Sequence, residues 1–353
     1  MERLLSRTVF SVGERDYAWA DVVVWGLVSG EWAALEQRTR EGMSCLLRAK
    51  DSGEEPSPKD LEAAAARFRY QRRLVAADDT EAWLEARDLD VEDWMEHVRR
   101  SVLRDRWAGE LPEIGAAYPV PAGDVEQMIW IEGICSGALS AMAEGLADRA
   151  AVFARARVDS GRDPNCPQPD VDRVAGRLPR SRDGVLGIPR KEIAARAEAV
   201  ACFAIVYERL SDQVGAPELV DSEIETHALD WIRFDCREVA LAEEGAAREA
   251  ALLVRQDGLD LDEAAATAHA TPRRERIYLE DADPAIRDRL LGAQEGDLVG
   301  PIPTGGVFVL LEVLARVAPT TDDPAVRARA RDQVLGRTVG REVVNRVRWH
   351  ETL

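Results

Sequence analysis

Apolar residues along the chain follow two different periods, and the change between them divides the sequence into a helical part and a mixed part. Near the start, Val9–Val12 and Tyr17–Trp19 flank the turn-forming stretch Gly13–Asp16, which predicts a small β-hairpin. From Lys59 onward, apolar residues recur three and four positions apart, and this spacing predicts amphipathic helices. Two such stripes comprise Leu61, Ala64, Ala65, Phe68, Arg72 and Val75, and then Val91, Trp94, Met95, Val98, Val102 and Leu103. No convergent polar group accompanies their aromatic residues, so we interpret those residues as core.

Proline, glycine and capping residues indicate where the helices begin and end. Ser57-Pro58 followed by Asp60 predicts a helix start. The prolines and glycines of residues 109–124 predict a connection, and those of residues 159–189 predict a flexible linker. The phrase DPNCPQPD within the linker combines one cysteine with spaced carboxylates, and its prolines favour an exposed acidic loop over a metal site.

The last third of the chain mixes strand and helix patterns. Trp231–Val239 and Arg276–Leu279 are rich in residues that suit a pleated sheet, and two helical segments separate them. A third helix, DADPAIRDRLLGAQEGD, leads into GDLVGPIPTGGVFVLLEVLARV, which predicts two strands around the turn Pro303–Gly306. The fold class is therefore predicted as mainly α: an N-terminal helical bundle, completed by a C-terminal helix, plus a four-stranded α+β domain.

The final segment, PAVRARARDQVLGRTVGREVVNRVRW, predicts a long basic helix. Its apolar stripe comprises Val326, Val334, Leu335, Val339, Val343 and Val347. Because its polar face is rich in arginine and the protein as a whole is acidic, we expect this helix to dock on the N-terminal part. A solvated basic helix is the alternative.

Composition and charge exclude several classes of partner. The net charge of −19 argues against nucleic acid, because binding phosphates requires a basic surface. No stretch reaches the ~18 apolar residues that a membrane span needs. The five cysteines are scattered and contain no CxxC pair, which predicts neither a disulfide framework nor a zinc site. Together with an N-terminus unlike a secretory signal, this predicts a cytoplasmic protein without metal or cofactor.

Enzyme motifs give no positive indication of chemistry. Phrases of the Ser-His-Asp, HExxH, GxGxxG and Walker types do not occur in the sequence. A paired-carboxylate site among the 65 acidic residues stays open.

The block LLGAQEGDLVGPIPTGGVFVLLEVLAR resembles the ending of the parvulin (PpiC-type peptidyl-prolyl isomerase) family. In that family a helix, a Gly-Asp/Glu-hydrophobic-x-Gly-Pro phrase and a turn lead into a last strand that carries a histidine. The residues that match this pattern are Gly296, Gly300, Pro301, Thr304, Gly306 and Val313. The phrase EEGAAREA is similar to the first helix of the family, and the resemblance covers roughly residues 229–317.

Two departures from the family pattern bear on activity. The last-strand histidine falls on Phe308, and the first-strand segment WIRFDCREV contains no histidine. In the family these histidines form a hydrogen-bonded cluster beside the proline pocket, so the resemblance implies a peptide groove without isomerase activity. The residues expected to contact a bound peptide are Trp231, Phe234, Cys236 and Phe308. No catalytic residue is assigned, since Cys236 is more simply a small buried hydrophobe and Asp235 a solvent-facing carboxylate.

The phrase VFSVGERDYAWADVV followed by long helices is similar to the start of SurA- and PrsA-type chaperones, where a helical bundle precedes the parvulin domain. A cytoplasmic protein of this layout also resembles the PpiC-related peptide maturation system proteins. That likeness implies an unfolded or ribosomally made precursor peptide as ligand, with a peptide-modifying enzyme as a further partner.

The resemblance divides the chain into three parts. Residues 1–228 are predicted as a SurA-like helical domain, residues 229–318 as a parvulin-like domain, and residues 319–353 as the docking helix. Three functions stay open: a peptide-binding chaperone or accessory protein, which we favour; an active peptidyl-prolyl isomerase; and a peptide-modifying enzyme that reuses the groove.

Overall fold

A computed structural model describes residues 2–178 and 184–350 of the chain. The chain forms two compact units. The first, called here the helical unit, comprises Met1–Leu210 and Val339–Leu353, and the second, the mixed unit, comprises Ser211–Thr338. The architecture is mainly α with an α+β part, so the predicted fold class is confirmed.

The helical unit contains the elements from the N-terminus to most of α11 (Arg190–Val214), together with the end of α16 (Pro324–Arg346) and β9 (Val347–Trp349). The elements before α11 are α1 (Glu2–Leu5), β1 (Thr8–Val12), β2 (Arg15–Ala18), α2 (Trp19–Ser29), α3 (Glu31–Ser52), α4 (Pro58–Gln71), α5 (Ala77–Glu85), α6 (Val91–Arg106), α7 (Leu111–Ala117), α8 (Ala122–Ser136), α9 (Ala138–Ser160), α10 (Gln168–Ala175), β3 (Gly184–Val185) and β4 (Ile188–Pro189).

The remaining elements belong mostly to the mixed unit. They are α12 (Pro217–Thr226), β5 (Arg233–Leu241), α13 (Glu244–Asp257), α14 (Leu261–Thr267), β6 (Arg273–Tyr278), α15 (Pro284–Leu290), β7 (Leu298–Thr304), β8 (Val307–Val317), α16 (Pro324–Arg346) and β9 (Val347–Trp349). The boundary between the units falls inside α11 and inside α16, and β9 belongs to the helical unit.

The N-terminal hairpin is present as predicted. Antiparallel pairing joins β1 to β2, and β1 also pairs with β9, so the order of this small sheet is β2-β1-β9. The side chain of Phe10 stacks on Tyr17 across the hairpin, with ring centroids 4.7 Å apart. The first and last strands of the helical unit therefore meet in one sheet.

The sequence predicted the start of α4 correctly but did not predict α7. Ser57 caps α4, because its Oγ accepts a hydrogen bond from the backbone N–H of Asp60 at 3.2 Å. The predicted connection at residues 109–124 was wrong, since it contains α7 and the start of α8. Pro112 lies in the first turn of α7, where a missing N–H leaves no helix hydrogen bond unmade.

The core of the helical unit is built around α2, which is apolar on all sides and almost entirely buried. Its neighbour α9 supplies alanines and leucines that allow a close approach. A Cβ at Gly26 would lie 2.6 Å from the Sδ of Met142, so a larger residue here would require the Met142 side chain to move.

The stretch predicted as a linker, residues 159–189, contains ordered elements. Val171 and Val174 of α10 are buried in the core of the helical unit, and β3 pairs with β4 in a two-stranded hairpin. Residues 179–183 of this stretch lie outside the described part of the chain. Flexibility of the linker stays a prediction.

The mixed unit contains an antiparallel sheet with the order β6-β5-β8-β7. Its two faces carry separate apolar clusters, one packed against α13 and α14 and the other against α15. Strands, helices and the turn Gly305-Gly306 follow the predicted order. The nearly continuous apolar sequence of β8, VFVLLEVLARV, fits this arrangement, because both faces of this central strand are covered.

The first turns of α16 belong to the mixed unit. Val326 and Ala330 pack there with Trp231, Val220 and Ile224 in a buried cluster. The compact units thus change at residue 338, whereas the predicted docking helix begins at residue 319. The predicted three-part division and the docking of the whole helix stay predictions.

Candidate functional site

Two of the residues predicted to contact peptide, Phe234 and Cys236, lie on the sheet face that α15 covers. They are 0% and 1% exposed, and they pack with apolar residues of the sheet and of α15. Leu290 of α15 and Leu279 belong to the same cluster. In this structure the chain itself occupies the apolar face that a peptide would need.

Phe308 lies on the opposite face of the sheet. It pairs with Leu241 of β5 and packs, half-buried, against the cluster of α13 and α14. It therefore lies away from Phe234 and Cys236, although strand β8 runs beside β5.

Trp231 precedes β5 and is fully buried in the cluster with the first turns of α16. Its Nε1 donates a hydrogen bond to Oε2 of Glu280 at 2.7 Å, and its ring stacks on His227 with centroids 4.8 Å apart. The structure thus brings Phe234 and Cys236 together and separates them from Trp231 and Phe308. Their contact with peptide stays a prediction.

The chemistry of Cys236 follows from its surroundings. Burial raises the pKa of its thiol to about 12, and the negative charges of Asp235 and Glu238 act in the same direction. A thiol with that pKa stays protonated at neutral pH and is a poor nucleophile. The four strands of this sheet contain no histidine. The two histidines of the mixed unit lie outside the strands, because His227 precedes β5 and stacks on Trp231, and His269 follows α14.

An open cleft of about 500 Å³ lies in the helical unit, where sequence reasoning placed no site. Helices α4 and α6 form most of its wall, and α3 and α8 contribute the remainder. The residues that line the cleft include Arg38, Arg67, Phe68, Arg72, His97 and Val98, with Val102, Asp105, Arg106 and Cys135.

The cleft has an apolar floor and a polar rim. Phe68 and Val98 are buried beneath it, and Val102 is half-buried. Arg67 and Asp105 lie exposed at its edge. The helical spacing of α4 and α6 produces this division, because the same stripes that fill the core end at the cleft.

A buried ionic network adjoins the cleft. Oε2 of Glu132, on α8, lies 2.9 Å from Nδ1 of His97 and 3.5 Å from Nη2 of Arg100, both on α6. Nε of Arg38, on α3, donates to Oε1 of Glu132 at 2.9 Å. An ionised carboxylate only accepts hydrogen bonds, so Nδ1 of His97 carries the proton of this bond.

The network keeps Glu132 ionised. Burial by itself raises the pKa of this carboxyl, but the hydrogen bond and charge of His97, followed by Arg100 and Arg38, lower it from 4.5 to about 2. The charge of Glu132 is therefore compensated by two arginines, and the buried His97 is among the residues that line the cleft.

The sequence contained a weak signal for this network. Glu132 is one of the polar residues, with Glu126 and Gln127, that interrupt the largely apolar stretch Val125–Met142, and His97 and Arg100 stand three positions apart on α6. The sequence pattern of this stretch predicts one buried helix, whereas the structure divides it between α8 and α9.

A serine, an aspartate and a histidine also meet in the helical unit. Oγ of Ser11 lies 2.6 Å from Oδ1 of Asp16 and 2.6 Å from Nε2 of His350. Both partners contact the serine, whereas in a hydrolase triad the carboxylate holds the far nitrogen of the histidine. Ser11 is 2% exposed, so this cluster ties the chain next to β9 to the hairpin and offers no nucleophile.

Within residues 2–178 and 184–350, no group of three or more His, Cys, Asp or Glu side chains is arranged to hold a metal ion. None of the helices in the described part of the chain is long and apolar enough to cross a membrane. The predicted cytoplasmic location stays a prediction.

Comparison with known proteins gave matches to solved structures only. No protein-family model matches the chain, and no curated protein matches it. The foldase protein PrsA from Streptococcus pneumoniae is similar over 63% of this chain and 89% of its own, with 11% identity and a TM-score of 0.26.

A second similar structure comes from work on PEB4 and Cj1289, two SurA-like chaperones of Campylobacter jejuni. It covers 62% of this chain and 89% of its own, with 9% identity and a TM-score of 0.20. We draw no conclusion about function from likenesses at these scores.

Proposed function

We propose that the protein binds peptides, as a chaperone or an accessory protein, through the cleft of its helical unit. The single observation that carries this proposal is the cleft itself, whose volume lies within the range usual for ligand sites. Its apolar floor suits one or two side chains of an extended segment.

The polar rim suits the backbone of such a segment. Gln71, Ser101 and Ser136 line the cleft and offer hydrogen-bond donors and acceptors to peptide N–H and C=O groups. Hydrogen bonds to the peptide backbone do not depend on the side chains of the peptide, so such a rim would hold segments of different sequence.

The mixed unit has a non-catalytic role in this proposal. Twisting a peptide bond has a barrier of ~20 kcal/mol, and lowering it requires groups in contact with the substrate. Cys236 is buried as a protonated thiol, and the sheet carries no histidine. We therefore expect no acceleration of proline isomerisation in a protease-coupled assay, and catalysis that disappears in Cys236→Ala would contradict this expectation.

The narrower form of the proposal is a role in maturation of a ribosomally made precursor peptide. It rests on the resemblance of layout described above, and the peptide-modifying enzyme is the partner that it implies. Co-expression with a precursor peptide and its modifying enzyme tests it: the modified peptide should fall when the protein is omitted. Modification by this protein alone would instead make it an enzyme.

Peptide binding is tested by fluorescence anisotropy of labelled, unstructured peptides that contain leucine or phenylalanine. Val102→Asn places a polar group on the cleft floor and is expected to weaken binding about tenfold, a loss of ~1.4 kcal/mol. Val91→Asn, at the exposed start of the same helix, is the matched control. Equal affinities of wild type and Val102→Asn would remove the cleft from the proposal.

The predicted peptide contacts of the mixed unit are tested separately. Phe308 is half-buried, so Phe308→Asn can be compared without opening a closed core. Weaker peptide binding in this variant would make the α13 side of the sheet a second contact surface. Unchanged affinity would leave the cleft as the binding site.

A further inference from the structure

Arg72 holds a positive charge at the cleft without a carboxylate partner. Its guanidinium carbon lies 3.8 Å from the centroid of the Phe68 ring, and its Nη2 donates to the backbone carbonyl of Cys135. Among residues 2–178 and 184–350, no acidic side chain pairs with it. The side chain is half-buried, and this burial lowers the pKa of the guanidinium.

The wall of the cleft carries more positive than negative charge. Arg67 is exposed at the rim and has no acidic partner within the described residues. Asp60 is already engaged, since it accepts hydrogen bonds from Ser57 and lies 3.6 Å from Arg106. Asp105 is the other acidic residue of the lining.

This local balance is opposite to that of the whole protein. With a net charge of −19, most of the surface repels an acidic ligand, so attraction at the cleft is specific to this place. A desolvated guanidinium that faces an open cleft is stabilised when a carboxylate pairs with it, and the planar fork of arginine suits that pairing.

We propose that the cleft selects acidic peptide segments, in which an apolar side chain packs on the half-buried Val102 and a neighbouring Asp or Glu carboxylate pairs with Arg72 and Arg67. The inference rests on the proposed function and specifies its ligand. In this proposal the carboxylate that pairs with the arginines is that of a peptide side chain. A free C-terminal carboxylate is the other possible source, and the experiment distinguishes the two.

The experiment uses the full chain and four labelled peptides with the same leucine-containing core. Three have blocked termini and carry Glu, Gln or Lys beside the leucine, and the fourth carries Gln and a free C-terminal carboxylate. The Glu peptide is expected to bind about tenfold more tightly than the Gln peptide and to lose this advantage in high salt. The Lys peptide is expected to bind more weakly than both.

The variants Arg67→Met and Arg72→Met are expected to remove the preference for Glu, so that the Glu and Gln peptides bind with equal affinity. Arg99→Met, on α6 outside the cleft lining, is the matched control and should keep the preference. Because Arg67 is exposed, its variant keeps the test informative if Arg72→Met fails to fold.

The outcomes separate this inference from the proposed function. Equal binding of the Glu and Gln peptides overturns the inference and leaves peptide binding in place. Tight binding of the free-C-terminus peptide alone also overturns it, because the carboxylate source would be different. Failure of all four peptides to bind overturns the proposed function as well.

Discussion

Nδ1 of His97 lies 2.9 Å from Oε2 of Glu132, and both side chains are buried among the helices of the helical unit. Arg38 and Arg100 contact the same carboxylate, so one ionised group joins α3, α6 and α8. Replacing a member of such a buried network is expected to reduce the stability of the fold, because it leaves buried charged groups unpaired.

Glu132→Gln is therefore expected to destabilise the helical unit strongly. The neutral amide leaves the buried Arg100 with only the half-exposed Glu96, 3.7 Å from its Nη1, as counter-charge, and breaking a buried ion pair costs about 3–5 kcal/mol. Chemical denaturation followed by circular dichroism measures the loss. The control is Glu41→Gln, which breaks the partly buried pair with Arg104 and should cost about 1 kcal/mol. Similar losses of stability in both variants would show that the buried network contributes no more than the Glu41–Arg104 pair.

Lowering the pH should reduce the free energy of unfolding through protonation of the same carboxylate. The pKa of Glu132 is about 2 in the folded chain and 4.5 ordinarily, so the unfolded chain takes up the proton first as pH falls. The stabilisation is complete above about pH 4.5 and is lost progressively towards pH 2. Denaturation midpoints between pH 7 and pH 2.5 should fall less steeply in Glu132→Gln than in wild type, whereas Glu41→Gln should follow wild type.

Gly300→Ala is expected to destabilise the sheet of the mixed unit. Gly300 has φ of 114°, and an added Cβ would lie 2.5 Å from the carbonyl oxygen of Val309, so both the backbone and the neighbouring strand would have to shift. Strain of this kind costs of order 1–3 kcal/mol. Hydrogen exchange of β7 and β8 should become faster. Gly292→Ala, which meets open space and has no positive φ, should exchange like wild type.

Arg329→Met is expected to loosen the start of α16 within the mixed unit. Nη2 of Arg329 lies 2.7 Å from Oε2 of Glu280 and 2.8 Å from Oδ1 of Asp281, and Glu280 also accepts the indole N–H of Trp231. Because this guanidinium joins a network, its loss should cost about 1–2 kcal/mol.

The matched control is two positions further along the helix. Arg331 pairs with the exposed Asp212, so Arg331→Met should change stability by less than about 0.5 kcal/mol. Hydrogen exchange of α16 distinguishes the two variants, and equal protection in both would mean that the network around Glu280 contributes nothing.

Local patterns determined much of the fold. The hairpin of β1 and β2, the start of α4 at Ser57 and the order of elements from β5 to β8 follow from spacing, capping and turn residues that lie close together in the chain. The error at α7 has the same local origin, since Pro112 terminates a helix in the interior but is tolerated in its first turn.

The face on which each strand residue lies was decided by pairing between strands. Strand register shifts occur between Asp235 and Cys236 and between Val299 and Ile302. A shift of one residue moves a side chain to the opposite face, so the sequence could place Phe308 and Phe234 on neighbouring strands without showing that they face apart.

The cleft and its network depended on tertiary structure altogether. Arg38, His97 and Glu132 lie on three helices and are distant in sequence, and no spacing rule connects them. The sequence by itself determined which segments are helices and strands, because those signals are carried by residues within a few positions of one another. Which charged side chains share a buried carboxylate, and which arginine faces an open cleft, was decided by the packing of helices, because that packing depends on contacts between distant parts of the chain.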